Sequence, residues 1–408
     1  MTSELTGSGL WLDPELPADL EGRLQALLTA AAPDAAERDR SSGIPTTEAA
    51  LLREARIAGT TIGGSPLNPN ATPTTKTSQQ WEWGLSLVRR LARVDAGVAA
   101  LLGYSFLHTL RVGLSGNNAL IERLYSAVSQ GNVLLGGANN PRGVGALVSR
   151  DGDDYLFDGT KHYASGSATA DWLVIAERVF HEGEEVRLAF LLENGAAGIS
   201  HLDNWSSIGA IRSSSGSIAF ERTRAAASDV IESRQQRSEV NPAADEIETL
   251  SNLGFQIFFV NLLTGFAQGA VDEGKRALLA RAKGDPARVS EAALTLLGEQ
   301  ISAVSALAAL TEQANQRFGV AVELVEQDAL DDHRLRALGD LVSRSKIAAD
   351  RVSLEVTTKI FELGGASLSS IELGLDRFWR NARTFTLHDP VSERAKKVGR
   401  IALSSPVE

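Results

Sequence analysis

The sequence predicts an α+β fold in three units, helical over residues 1–130, β over 131–235 and helical again over 236–408. Three observations carry this expectation. Apolar residues recur at three- and four-residue spacing before residue 130. Short β-type runs separated by turn residues follow Gly131 and suggest a compact antiparallel β domain. After about Asn241, long amphipathic segments rich in Ala and Leu return, with lengths that suggest a four-helix bundle.

Taken in order, residues 18–31 (ADLEGRLQALLTAA) and 46–58 (TTEAALLREARIA) read as helices, and 64–77 (GSPLNPNATPTTKT) as a loop. A long helical pattern covers 79–112, with Gly97 and Gly103 as candidate interruptions. A Ser115-Gly116-Asn117 turn then precedes a helix from Asn118 to Gln130. The β-type runs are 144–149, 154–157, 172–177, 186–192 and 217–220, with a hairpin turn at Asp151-Gly152-Asp153-Asp154. The last helical segments are 244–283, 287–317, 333–364 and 389–403. Gly254, Gly265, Gly269 and Gly274 lie inside the first of these. Each costs about 1 kcal/mol against Ala, so close helix packing or a cofactor contact is expected there.

Composition narrows the function. A net charge of −11 and a pI near 5.2 argue against nucleic acid or an anionic membrane as partner. No uninterrupted apolar run looks long enough to span a bilayer, and the opening MTSELTGSGLWLDPELP lacks the basic start and apolar core of a signal peptide, so a cytoplasmic enzyme is expected. There is no cysteine, which excludes disulfides, thiolate metal sites and cysteine nucleophiles. Asp331-Asp332-His333 reads as a solvated helix start, because adjacent helical residues face different ways, and His108, His162, His181 and His201 show no ligand spacing; no metal is expected. Neither a Walker motif nor GxGxxG occurs.

The segment 376–390, DRFWRNARTFTLHDP, is the most informative. Arg377, Arg380 and Arg383 recur every third residue, and Asp376 can pair with Arg380 one turn on. Pro390 resists continuation of a helix, which puts His388 at a helix-breaking turn.

The helix–β–helix order, with DGTKHYASGSATADWLVIA at 158–176 and WSSIGAIRSSSGSIAF at 205–220, resembles the acyl-CoA dehydrogenase superfamily over essentially the whole chain. In its dehydrogenases the segment after the Arg-rich helix usually reads Tyr-Glu-Gly-Thr, and that Glu is commonly the base. Here the place holds His388-Asp389-Pro390-Val391. RFWRN…LHDPVS instead resembles the flavin-dependent monooxygenases of this fold, nearest their sulfur-oxidising dibenzothiophene branch. ERDR at 37–40 and the helix beginning Gly103-Tyr104 share that likeness.

The resemblance implies a two-component monooxygenase. It would use O₂ and reduced flavin from a separate reductase, through a C4a-hydroperoxyflavin, to oxygenate sulfur or nitrogen in a small molecule, with sulfur slightly favoured. FMN is the implied cofactor, FAD the alternative, and a homotetramer the implied assembly. Ser165, with Tyr163 and Ala164, would lie beside flavin N5. His388 would manage a proton near the reacting oxygen. Tyr104, Trp205 and Asn139 would line the substrate pocket, while Lys283, Gly364 and Gly365 would meet the flavin phosphate. Gly137 stands where the relatives have Asn, though Asn139 and Asn140 are close by, and Ala100 replaces a pocket His. Both departures point to a substrate other than dibenzothiophene. The rival readings are an acyl-CoA dehydrogenase with Asp389 as base, and a non-catalytic flavin-binding scaffold.

Overall fold

A computed structural model describes residues 10–11, 13–70, 75–140, 145–181, 184–233 and 244–404. Its first helices are α1 (Ala18–Ala31), α2 (Ala35–Arg40), α3 (Thr46–Ala55), α4 (Thr77–Ala92), α5 (Ala96–Gly113) and α6 (Asn118–Val128). The helical pattern over 79–112 is therefore two helices, and neither candidate glycine makes the break. The chain turns before Asp95, whose carboxylate caps α5 by accepting from Val98 N at 2.9 Å.

Eight strands form one sheet: β1 (Leu135–Ala138), β2 (Leu147–Asp151), β3 (Asp154–Lys161), β4 (Trp172–His181), β5 (Glu184–Glu193), β6 (Ile199–Leu202), β7 (Ser217–Ala225) and β8 (Val230–Ser233). Their order is β6-β7-β3-β2-β4-β5-β8, with β1 also against β4. The Gly152 hairpin forms as predicted, Asp151 facing Asp154. The sheet is not wholly antiparallel, however. β1 runs parallel to β4 from Leu135↔Trp172 to Ala138↔Ile175, and β2 meets β4 in parallel at Val148↔Val179. The LGGA run of β1 is short and half glycine, so β-propensity does not mark it.

The remaining helices are α7 (Ala244–Arg281), α8 (Glu291–Glu326), α9 (Asp332–Lys359), α10 (Asp376–Thr386) and α11 (Val391–Ser404). One hydrophobic core runs through α4 and α5 (Leu87, Leu91, Leu102, Phe106) into α7, α8 and α10 (Phe258, Phe259, Phe266, Phe318, Phe385). The β unit has its own core around Phe157, Phe190 and Ile218, and Leu124 and Tyr125 of α6 pack on the sheet's other face against Val174 and Leu191. Close packing accounts for the glycines of α7. A Cβ on Gly265 or Gly269 would stand 2.4 Å from the Arg89 or Arg93 carbonyl oxygen at the end of α4.

Two helical stretches, Ile247–Arg281 and Glu291–Glu326, are long and apolar enough to cross a membrane by length and composition. Both stretches are interrupted by polar residues, so the expectation about uninterrupted runs stands beside this. In the first, 89% of the most apolar window is buried inside the protein, in the second only 28%. Helix α8 thus carries apolar surface that the described chain leaves uncovered, with Leu294 and Val320 exposed.

Gly103 faces the Phe258 ring, and a Cβ there would lie 2.0 Å from its edge. Gly103→Ala is expected to displace Phe258 and destabilise the protein by about 1–3 kcal/mol. Gly22→Ala in α1, where nothing lies within 4 Å, should leave stability unchanged or raised. Thermal unfolding of both variants beside the parent checks the pair.

Candidate active site

After β3 the chain makes a strained turn. Tyr163 has φ 59° and Gly166 φ 69°, and a bulky residue in the left-handed region is uncommon. Three backbone hydrogen bonds hold the turn: Ala164 N to Gly216 O (2.8 Å), Gly166 N to Ser213 O (3.0 Å) and Gly137 N to Ser165 O (3.2 Å). The Ser165 hydroxyl lies 2.7 Å from Ser215 Oγ and stands near the Tyr104 phenol. Burial pushes Tyr104 up to about 12, so it keeps its proton. Tyr163 is exposed and meets Trp205 edge-on at 6.2 Å.

Tyr104, His108 and Arg111 recur along one face of α5. His108 is buried, and its Nδ1 lies 3.4 Å from Asn139 Nδ2. Burial, aided by the Arg111 charge, pushes its pKa down to about 3, so the imidazole is neutral and Nδ1 accepts from the amide. Asn139 Oδ1 is buried without a hydrogen-bond partner among the described residues. Burial and the nearby Arg187 lower Arg111 to about 10, and Arg187 donates to the Asn139 carbonyl. Arg111 and Arg187 place positive charge here, with the Glu248 carboxylate near both.

His388 follows α10 at the predicted turn, its N–H donating to Phe385 O at 3.3 Å. Its exposed ring packs on Phe259 at 4.4 Å, Phe259 on Phe258 at 5.1 Å, and Phe258 on Tyr104 at 5.0 Å. One aromatic wall therefore joins His388 to Tyr104. The expected Asp376–Arg380 pair forms at 2.8 Å. Asp389 accepts from Arg394 Nε at 2.8 Å, an ion pair that opposes its use as a base.

Lys283, Gly364 and Gly365 lie apart from this group within one chain. At about 1.5 Å per residue, Arg281 stands about 33 Å along α7 from Phe259. Exposed Lys283 follows, and Arg281 donates to Ser367 Oγ at 2.5 Å, tying that far end to the Gly364–Gly365 turn.

Sequence reasoning used 205–220 as a family motif but assigned its loop from Gly209 to Gly216 no role at the site. Arg212 makes two hydrogen bonds to the buried Glu48 (2.7 and 2.8 Å), which hold its pKa above the ordinary value. Ala210 N donates to Asn381 Oδ1 at 2.6 Å, and Trp205 Nε1 to Ala210 O at 2.9 Å. Buried Ser213 donates to Ala210 O at 2.7 Å and lies 2.8 Å from Ser215 Oγ. The run Ser213-Ser214-Ser215 was the available signal, but a serine-rich turn is ordinary by itself.

The hydroxyls of Ser165 and Tyr104, the unpartnered Asn139 oxygen and the aromatic wall suit a planar heteroaromatic ring with a polar edge. Residues 257–393 match the family model for the acyl-CoA dehydrogenase C-terminal domain. A probable FMNH2-dependent monooxygenase, SfnC of Pseudomonas putida, is 28% identical over 91% of each chain. Dibenzothiophene monooxygenase of Mycolicibacterium goodii is 28% identical over 90% of this chain and 89% of its own. Methanesulfinate monooxygenase MsuC of Pseudomonas fluorescens superposes with TM-score 0.83 at 27% identity, covering 96% of this chain and 99% of that one. Butyryl-CoA dehydrogenase of Megasphaera elsdenii shares the fold alone, with TM-score 0.75 at 18% identity over 96% of this chain and all of its own.

His108 supplies a pH test. Between pH 3 and 6.5 the unfolded chain takes up a proton there that the folded chain refuses. Its contribution to stability is therefore whole above pH 6.5 and declines below, by up to about 1.4 kcal/mol per pH unit. His108→Gln is expected to unfold less steeply with acid than the parent, as read from denaturant midpoints across that window.

Proposed function

We propose that this chain, an oxidoreductase with the acyl-CoA dehydrogenase fold that resembles dibenzothiophene monooxygenase, uses O₂ and reduced FMN from a separate reductase to oxygenate the sulfur of a small organic molecule. The observation that carries this reading is the aromatic wall of Phe258 and Phe259, which joins Tyr104 to His388, while Asp389, where a dehydrogenase would have its base, is held by Arg394. FMN rests on the name of the P. putida relative and on the fit of the Ser165–Asn139 surface.

When bound, the flavin supplies electrons and activates O₂. The chain's own groups do the rest. Phe258 and Phe259 keep water from the cleft. Tyr104 and Ser165 hydrogen-bond the polar edge of the ring, and His388 holds or delivers a proton on the substrate side. The Arg111 and Arg187 charges favour a substrate with an anionic or strongly dipolar group, in keeping with a pocket that departs from the dibenzothiophene pattern.

Two observations favour a homotetramer: the uncovered apolar surface of α8, and the distance of Lys283 and Gly364–Gly365 from Ser165. A second copy would bring its cation and glycine turn to the flavin phosphate of the first. Light scattering at micromolar concentration is expected to give a tetramer; a monomer contradicts the assembly.

His388→Phe is expected to leave folding and reduced-FMN binding nearly intact while lowering product formation by about 10²–10⁴-fold. Consumption of O₂ to H₂O₂ should persist. Asp389→Asn should be milder. Product and peroxide assays with candidate sulfides, sulfinates and amines check this. Loss of turnover in Asp389→Asn, with coupled product formation retained in His388→Phe, would restore the dehydrogenase reading.

A further inference from the structure

Three hydroxyls, of Ser165, Ser215 and Ser213, run in line into the Gly209–Gly216 loop, and the far end of the line fixes the direction of every hydrogen bond in it. Ser213 Oγ lies 2.7 Å from the Ala210 carbonyl oxygen. A carbonyl has no proton to give, so the one Ser213 proton points at it. Ser213 and Ser215 are 2.8 Å apart, so that contact must be donated by Ser215. The 2.7 Å contact between Ser215 and Ser165 must in turn be donated by Ser165. With its only proton turned inward, the Ser165 hydroxyl can offer nothing but lone pairs to the cleft. The lone pairs of Ser165 remain for a ligand.

The direction is built in. Ser213 and Ser215 are buried, so no solvent competes for their protons. Both sit in a loop with left-handed Ala210 (φ 53°) and Ser214 (φ 49°), a conformation that Arg212–Glu48 and Ala210–Asn381 hold in place.

We infer that Ser213 and Ser215 are positioning residues that make Ser165 an obligate hydrogen-bond acceptor, so that the site favours reduced flavin, whose N5 carries a proton, over oxidised flavin, whose N5 presents a lone pair. This rests on the proposed placement of flavin N5 beside Ser165. Reduction turns N5 from acceptor to donor. An acceptor-only hydroxyl gains a hydrogen bond with one form and sets two lone pairs against each other with the other. The site thereby takes up the form that a reductase delivers and releases the form left after turnover.

The test is the ratio of dissociation constants for oxidised and dithionite-reduced FMN, titrated anaerobically with the full chain. The parent should bind reduced FMN roughly ten- to a hundredfold tighter, the scale set by one buried polar group that is either satisfied or not. Ser215→Ala frees the Ser165 proton to turn towards the cleft, and the ratio should fall to within about threefold of unity, with oxidised FMN binding more tightly than to the parent. Ser215→Thr, which keeps the hydroxyl, should restore it. A merely structural role for Ser215 would weaken both forms together, and that result overturns the proposal, as does an unchanged ratio.

A measurement on the parent needs no variant. With ¹⁵N5-labelled oxidised FMN bound, the N5 resonance should lie downfield of its position in water, as for a nitrogen receiving no hydrogen bond. A resonance at the aqueous position or upfield of it overturns the proposal. If the parent binds both forms equally, this inference alone fails; if it binds neither, the flavin reading fails with it.

Discussion

The buried Arg212–Glu48 pair is the constraint on which the site depends, because it fixes a loop that all three units touch. Glu48 comes from α3, Arg212 from the β unit, and Asn381, which receives the Ala210 N–H, from α10. Asn381 also donates to Asp39 at 2.6 Å, and Arg380 pairs with the same carboxylate at 2.7 Å. Arg38, from the same short helix, bonds Asp95 at 2.6 Å, where α5 begins. Removing one partner of such a buried pair typically costs about 3–5 kcal/mol, because the other charge is left in a place that water does not reach. The loop is thus held in a strained shape by charges that contact no ligand, and its serines inherit their orientation from it.

The opposite wall of the cleft is set by packing. Gly103 allows Phe258 to lie against α5 beside Tyr104, and Gly265 and Gly269 let α7 approach the backbone at the end of α4. The Phe258–Phe259 pair is then placed between Tyr104 on one side and His388 on the other. The same rigid helix that builds this wall carries Arg281 and Lys283 far from it. A long straight helix cannot bring both its ends to one small ligand within one copy.

Electrostatically the cleft is uneven. Its Ser165 end is neutral and made of hydroxyls with assigned protons, whereas its other end carries the Arg111 and Arg187 charges near Glu248, with neutral His108 between them. The neutrality of His108 follows from burial and from a neighbouring cation, and it leaves the imidazole as a fixed dipole beside the Asn139 amide.

By itself the sequence determined the fold class, since helical and β periodicities are local properties of the chain and need no partner to be visible. It also marked Ser165, Tyr104 and His388, because their motifs are contiguous and their family likeness is strong. Helix ends were less legible: Asp95 breaks the long helix by a cap that competes with no obvious glycine or proline signal. Only the tertiary structure decided the parallel pairing of β1, the aim of Asn139 at His108, and the Ser213–Ser215–Ser165 order. Only it separated Lys283 from Ser165. Each of these joins residues tens to hundreds of positions apart, or keeps them apart, through burial and helix length. Such distances are set by packing in three dimensions, which spacing along the chain does not encode.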